Sequence, residues 1–93
     1  MFFVVEHTIR DPQVAFARGQ SLLEGRGAPA GVQVRKFYPS TDQSAVFCLW
    51  EAPSLDEVRD YVNETLGESS ENLWFEVDTA QALGLPEPAI ARA

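Results

Sequence analysis

The sequence predicts an α+β fold of the ferredoxin-like type, β-α-β-β-α-β, in which a four-stranded antiparallel sheet carries two helices on one face. Three observations lead there. Four short stretches alternate with the period of a strand, two others carry helix start signals, and the two kinds follow one another in that order. The surest run is Val32 to Val62, where two strand patterns, a turn and a capped helix succeed each other with hardly a residue unassigned.

Phe2 to Thr8 (FFVVEHT) divides into the sets Phe2, Val4, Glu6, Thr8 and Phe3, Val5, His7, Ile9; both begin apolar, so both faces need cover. Asp11 before Pro12 starts a helix, because the carboxylate accepts from free first-turn amides and proline has no N–H to leave unpaired. That helix should run to about Glu24 and bury Val14, Ala17, Ser21 and Leu22, with Phe16 and Leu23 flanking. It ends in residues 25–31, rich in Gly and Pro and expected to be a mobile loop. Val32, Val34, Lys36 and Tyr38 then alternate with Gln33, Arg35 and Phe37, and Pro39 to Ser44 is a turn. Ala45 to Glu51 is apolar on both sides, the pattern of a central strand covered on both faces. Ser54 and Glu57 have capping-box spacing, each expected to satisfy the other's backbone amide, and Leu55, Val58, Val62 and Leu66 fall on one helical face before Gly67 ends the helix. Asn72 to Asp78 is the fourth strand, with Leu73, Phe75 and Val77 opposed to Asn72, Trp74, Glu76 and Asp78. The domain is expected over residues 1–83, with a tail over 84–93 that contains Pro86 and Pro88.

At 93 residues a single core buries about 60–65% of the unfolded chain's surface, so association with a second copy would add useful stability. A sheet with both helices on one face leaves its other face bare, and the apolar residues due there make a homodimer packed sheet to sheet the expected assembly. The formal charge of -7 repels nucleic acid and anionic membranes. The single cysteine, Cys48, forms no internal disulfide, and neither a secretory leader nor a membrane-length apolar run is visible, so the expected location is the cytoplasm.

The motifs for nucleotide hydrolysis, dinucleotide cofactors, serine hydrolases and common zinc sites do not occur, and no catalytic residue is assigned. The lone histidine, His7, is open to three roles: metal ligand, general base, or polar residue near a strand end. Cys48 would join it if both share a sheet face, giving an imidazole and a thiolate; a small buried hydrophobe is the plainer reading. Tyr38, Trp50, Asn72 and Trp74 would line a pocket for a flat organic ligand, or the tryptophans are simply core. Arg35, Lys36, Glu76 and Asp78 are further polar strand residues within reach of such a cavity, and Glu76 with Asp78 reads equally as a cation site or an exposed acidic edge.

Val5-Glu6-His7-Thr8 followed by Asp11-Pro12, and Phe47-Cys48-Leu49-Trp50-Glu51-Ala52-Pro53 leading into Glu57-Val58-Arg59, resemble the DUF4242 family, which includes a nickel-binding protein. The chain departs from that pattern at Tyr61, where members commonly carry a histidine. The resemblance implies a ferredoxin-like fold, a dimer, and binding of nickel or another divalent transition metal through His7 and Cys48, with Glu6 as their nearest acidic neighbour. At the level of architecture the chain is also similar to the dimeric α/β barrel group, whose cofactor-independent monooxygenases and polyketide cyclases bind aromatic substrates between sheet and helices. The expected function is therefore a small non-enzymatic dimeric binding protein for a metal or small molecule. The alternatives are a cofactor-independent oxygenase or cyclase and a structural or regulatory interaction module.

Overall fold

The computed structural model describes residues 1–89; positions 90–93 of the expected tail lie outside the described residues. Strands β1 (Phe2–Ile9), β2 (Gln33–Pro39), β3 (Ala45–Glu51) and β4 (Ser70–Glu76) form one sheet in the order β2-β3-β1-β4, and every neighbouring pair is antiparallel. Helices α1 (Pro12–Leu23) and α2 (Leu55–Leu66) cover one face, and a single 3-10 turn, Gly67–Ser69, leads from α2 into β4. This is the predicted ferredoxin-like α+β fold. No helix among the described residues is long and apolar enough to cross a membrane.

The helix starts are built as the sequence implies. Asp11 accepts from the Val14 amide at 3.2 Å, with Pro12 in the first turn. At α2 the Glu57 amide donates to Ser54 Oγ, but the Glu57 carboxylate takes the Ser54 hydroxyl, not its amide, so only half of the expected capping box forms. Gly67 ends α2 at a φ of 56°, in the left-handed region that favours glycine. A Cβ there would also stand 2.9 Å from Arg18 Nη1, which donates to the Leu66 carbonyl and so lays a positive charge on the C-terminal end of α2.

The register of β1 against β3 pairs Phe3 with Trp50, Val5 with Cys48 and His7 with Val46, and all six are buried under the helices. Val58, Val62 and Leu66 of α2 close the core from above. Three local expectations change. Helix α1 buries Ala15 and Leu22 and leaves Ala17 exposed, because its inward face runs through Ala15, Gly19 and Leu22, one position off the expected stripe. In β2 a bulge between Val34 and Lys36 inserts one residue, so Val34 faces the core but Phe37, not Lys36 or Tyr38, continues that side. Strand β4 begins at Ser70, two residues early, and Asp78 lies beyond it, where its carboxylate accepts from the Ala80 amide.

The loop over residues 25–31 is anchored to α2 where the Tyr61 hydroxyl donates to the Arg26 carbonyl at 2.6 Å; Trp50 meets the Tyr61 ring edge-on. The face of the sheet away from the helices is open. Tyr38, Phe47, Leu73 and Phe75 are 62%, 46%, 71% and 57% exposed on it, so within one chain β3 is covered on one side only. One end of that face is closed by the chain itself: the Ala89 amide donates to both oxygens of Glu51 at 3.1 Å, and Glu51, paired with Arg35, is buried.

Phe3 is 1% exposed at the centre of the sheet. Phe3→Ala is expected to lower unfolding stability by about 3–5 kcal/mol in urea titration, from lost transfer energy and the cavity left behind; a loss under about 1 kcal/mol would show that the β1–β3 core is not the one described.

Candidate functional site

Between the sheet and α1 lies a partly enclosed cavity of about 370 Å³. Its floor is His7, Cys48 and Trp50; its roof is the inward face of α1, with Gly19 and Leu22. Leu23 and Phe37, 40% and 37% exposed, stand at its solvent side. The cavity exists because Ala15 and Gly19 put little side-chain volume on the one part of α1 that faces the strands. Its walls are almost wholly apolar, and among the described residues His7 is the only titratable group on them besides the Cys48 thiol.

His7 sits near the end of β1, 4% exposed, and its ring is held by an amide. Asn72 on β4 is its cross-strand partner; Asn72 Nδ2 donates to Asn63 Oδ1 at 2.8 Å, which turns Asn72 Oδ1 toward the ring. That oxygen also accepts from the Ser70 hydroxyl at 2.8 Å. An amide oxygen only accepts, so the 2.6 Å contact from His7 Nδ1 places the ring proton on Nδ1. Burial in an apolar wall lowers the His7 pKa and outweighs the opposing effect of the Asn72 bond. At neutral pH the group is a neutral imidazole whose Nε2 lone pair has no partner among the described residues. A neutral imidazole in a fixed tautomer can accept a hydrogen bond from a ligand or take a proton from it.

Sheet parity sorts the other candidates. Cys48 shares the cavity wall with His7, but burial pushes its thiol up to about 12, so it is a protonated thiol at neutral pH. Glu6 follows His7's neighbours onto the opposite, open face, opposite Phe47 and Leu73. Among the described residues no three His, Cys, Asp or Glu side chains gather as a metal site. The set His7, Glu6 and Cys48 therefore does not converge within one chain: His7 and Cys48 share the cavity wall, and Glu6 lies on the other face of the sheet. Of the pocket candidates, Trp50 is in the cavity wall and Asn72 stands behind His7 as its anchor. Trp74 packs half-buried at the core edge, beside Val5. Tyr38 is on the open face, because the β2 bulge sends Phe37 to the cavity in its place. Arg35 is taken up by Glu51, while Lys36 and Glu76 are exposed. Gly19 and Phe37, which the sequence did not single out for the site, also line the cavity; a glycine in mid-helix was the available signal for the first. The indole N–H groups of Trp50 and Trp74 are buried without a hydrogen-bond partner among the described residues.

Because the folded-state pKa of His7 lies below the ordinary 6.5, the unfolded chain takes up a proton that the fold excludes. The stability this gives is complete above pH 6.5 and is lost as pH falls below that value toward the lower native pKa. Urea unfolding across pH should show a loss in this window that is absent in His7→Gln; parallel curves would mean that His7 is not buried in its neutral form.

No family profile matches the chain, and no curated protein is significantly similar to it in sequence. Among solved structures it is similar to Rv0793 from Mycobacterium tuberculosis, at 17% identity and a TM-score of 0.49, over 82% of this chain and 93% of that one.

Proposed function

We propose that the protein binds a small, apolar organic molecule in the cavity under α1, with His7 Nε2 receiving the ligand's hydrogen-bond donor. The observation that carries this reading is a neutral histidine of fixed tautomer in the wall of a mostly apolar cavity of about 370 Å³, within the size range of small-molecule sites. The same arrangement favours a second reading, a cofactor-independent oxygenase or cyclase, because an unprotonated Nε2 facing an apolar space is placed to take a proton from an acidic hydroxyl. Transition-metal binding, the other expectation from sequence, would rest on His7 and Cys48 alone.

We also propose that two copies associate through the open sheet face. Tyr38, Phe47 and Leu73 lie in one cross-strand row and Phe75 in the next, an apolar patch large for a monomer's surface. Lys36 and Glu6 carry opposite charges within the same two rows, so a two-fold pairing of this face with itself has complementary charge.

In thermal unfolding, 2-naphthol is expected to stabilise the wild type, by about 2.7 kcal/mol at a hundredfold excess over Kd, and His7→Phe to lose most of that gain. Excess nickel should leave the unfolding temperature unchanged; a nickel-specific rise abolished by His7→Phe would instead establish the metal reading. In sedimentation, the wild type should run at twice the chain mass of 10.3 kDa and the Leu73→Asp/Phe75→Asp double variant at the single-chain mass. A monomeric wild type at every concentration would remove the dimer.

A further inference from the structure

Gly19, in the interior of α1, is one of the helix residues that line the cavity, with Ala15, Phe16 and Leu22. Glycine in mid-helix is unfavourable relative to alanine, since it loses more backbone freedom on folding, and it usually marks a close approach of two backbones. Neither a close approach nor a special conformation accounts for this one: a Cβ built on Gly19 would meet nothing within 4 Å beyond its own stretch of helix, and its φ is not positive. What a side chain there would occupy is the cavity. The same cavity is lined by His7, 4% exposed, whose Nε2 has no partner among the described residues.

We infer that Gly19 sets the size of the ligand, admitting a flat, neutral molecule of several rings that lies under α1 between Gly19 and the His7 edge. This rests on the cavity reading above. A flat ring suits a space between helix and sheet that has the Trp50 indole among its lining groups. Neutrality follows from the absence of any charged side chain on the lining among the described residues, where an ionised ligand would be desolvated without a partner. The chain's net charge of -7 disfavours anions further.

The test pairs two neutral probes with two variants. N-phenyl-1-naphthylamine, which has three rings and brightens in apolar surroundings, is titrated by fluorescence; toluene, with one ring, is followed by the rise in unfolding temperature. The wild type should bind both. Gly19→Leu should bind the dye at least tenfold more weakly, retain toluene binding and unfold at a higher temperature, because the new side chain fills the space and favours the helix. Gly19→Ala, a smaller change, should also unfold higher and lose dye affinity by a lesser factor. Unchanged dye affinity in a folded Gly19→Leu overturns the role of Gly19 and leaves the cavity reading standing. Failure of both probes to bind the wild type overturns the cavity reading and this inference with it. A Gly19→Ala protein that unfolds at a lower temperature than the wild type would show that the site is packed, and would also overturn the inference.

Discussion

The pairing of β1 with β3 is the constraint on which the rest depends. Both strands are apolar on both sides, so only their mutual register and the side on which the helices land decide which set becomes core. In the register observed, Phe3, Val5 and His7 share a face with Val46, Cys48 and Trp50. One residue of slip would move the histidine to the open face and bring Glu6 under the helices. The buried aromatic and branched side chains that favour this register are therefore also what selects the chemistry of the cavity.

The two faces of the sheet treat ionisable groups in opposite ways, and the same physics explains both. On the helix side His7 is buried beside an amide that accepts a hydrogen bond but carries no charge, so desolvation prevails and the ring is neutral. On the open side Glu51 is also buried, but it meets the Arg35 guanidinium and the Ala89 backbone amide, partners that offset the cost of burying a carboxylate. The β2 bulge falls at Arg35: the inserted residue changes the parity of the strand and accompanies the turn of Phe37 toward the cavity.

The cavity exists because α1 and α2 differ in how they meet the sheet. Helix α2 presents Val58, Val62 and Leu66, all buried, and fills the space beneath it. Helix α1 presents Ala15 and Gly19, and Arg18 ties it sideways to the Leu66 carbonyl at the end of α2. A helix held from the side can stand off a sheet without collapsing onto it. Apolar volume left unfilled lowers stability, so a small domain with little surplus core carries such a space against its own stability.

The sequence alone determined the element order, both helix starts, the glycine stop of α2 and the ferredoxin-like class, because these depend on local chemistry: the cap at Asp11, the hydroxyl at Ser54, the alternation of apolar residues. It also singled out His7, Cys48, Trp50 and Asn72, by residue type. What it left undecided was which of them meet. Face parity in a strand apolar on both sides is set by packing, the one-residue bulge in β2 leaves no mark in the alternation, and the inward face of the weakly amphipathic α1 is chosen by its neighbours. Tyr38 and Glu6 went to the open face, and Phe37 and Gly19 to the cavity, for those reasons. Local interactions fix where elements begin and end; only the tertiary structure decides which side of each element is inside.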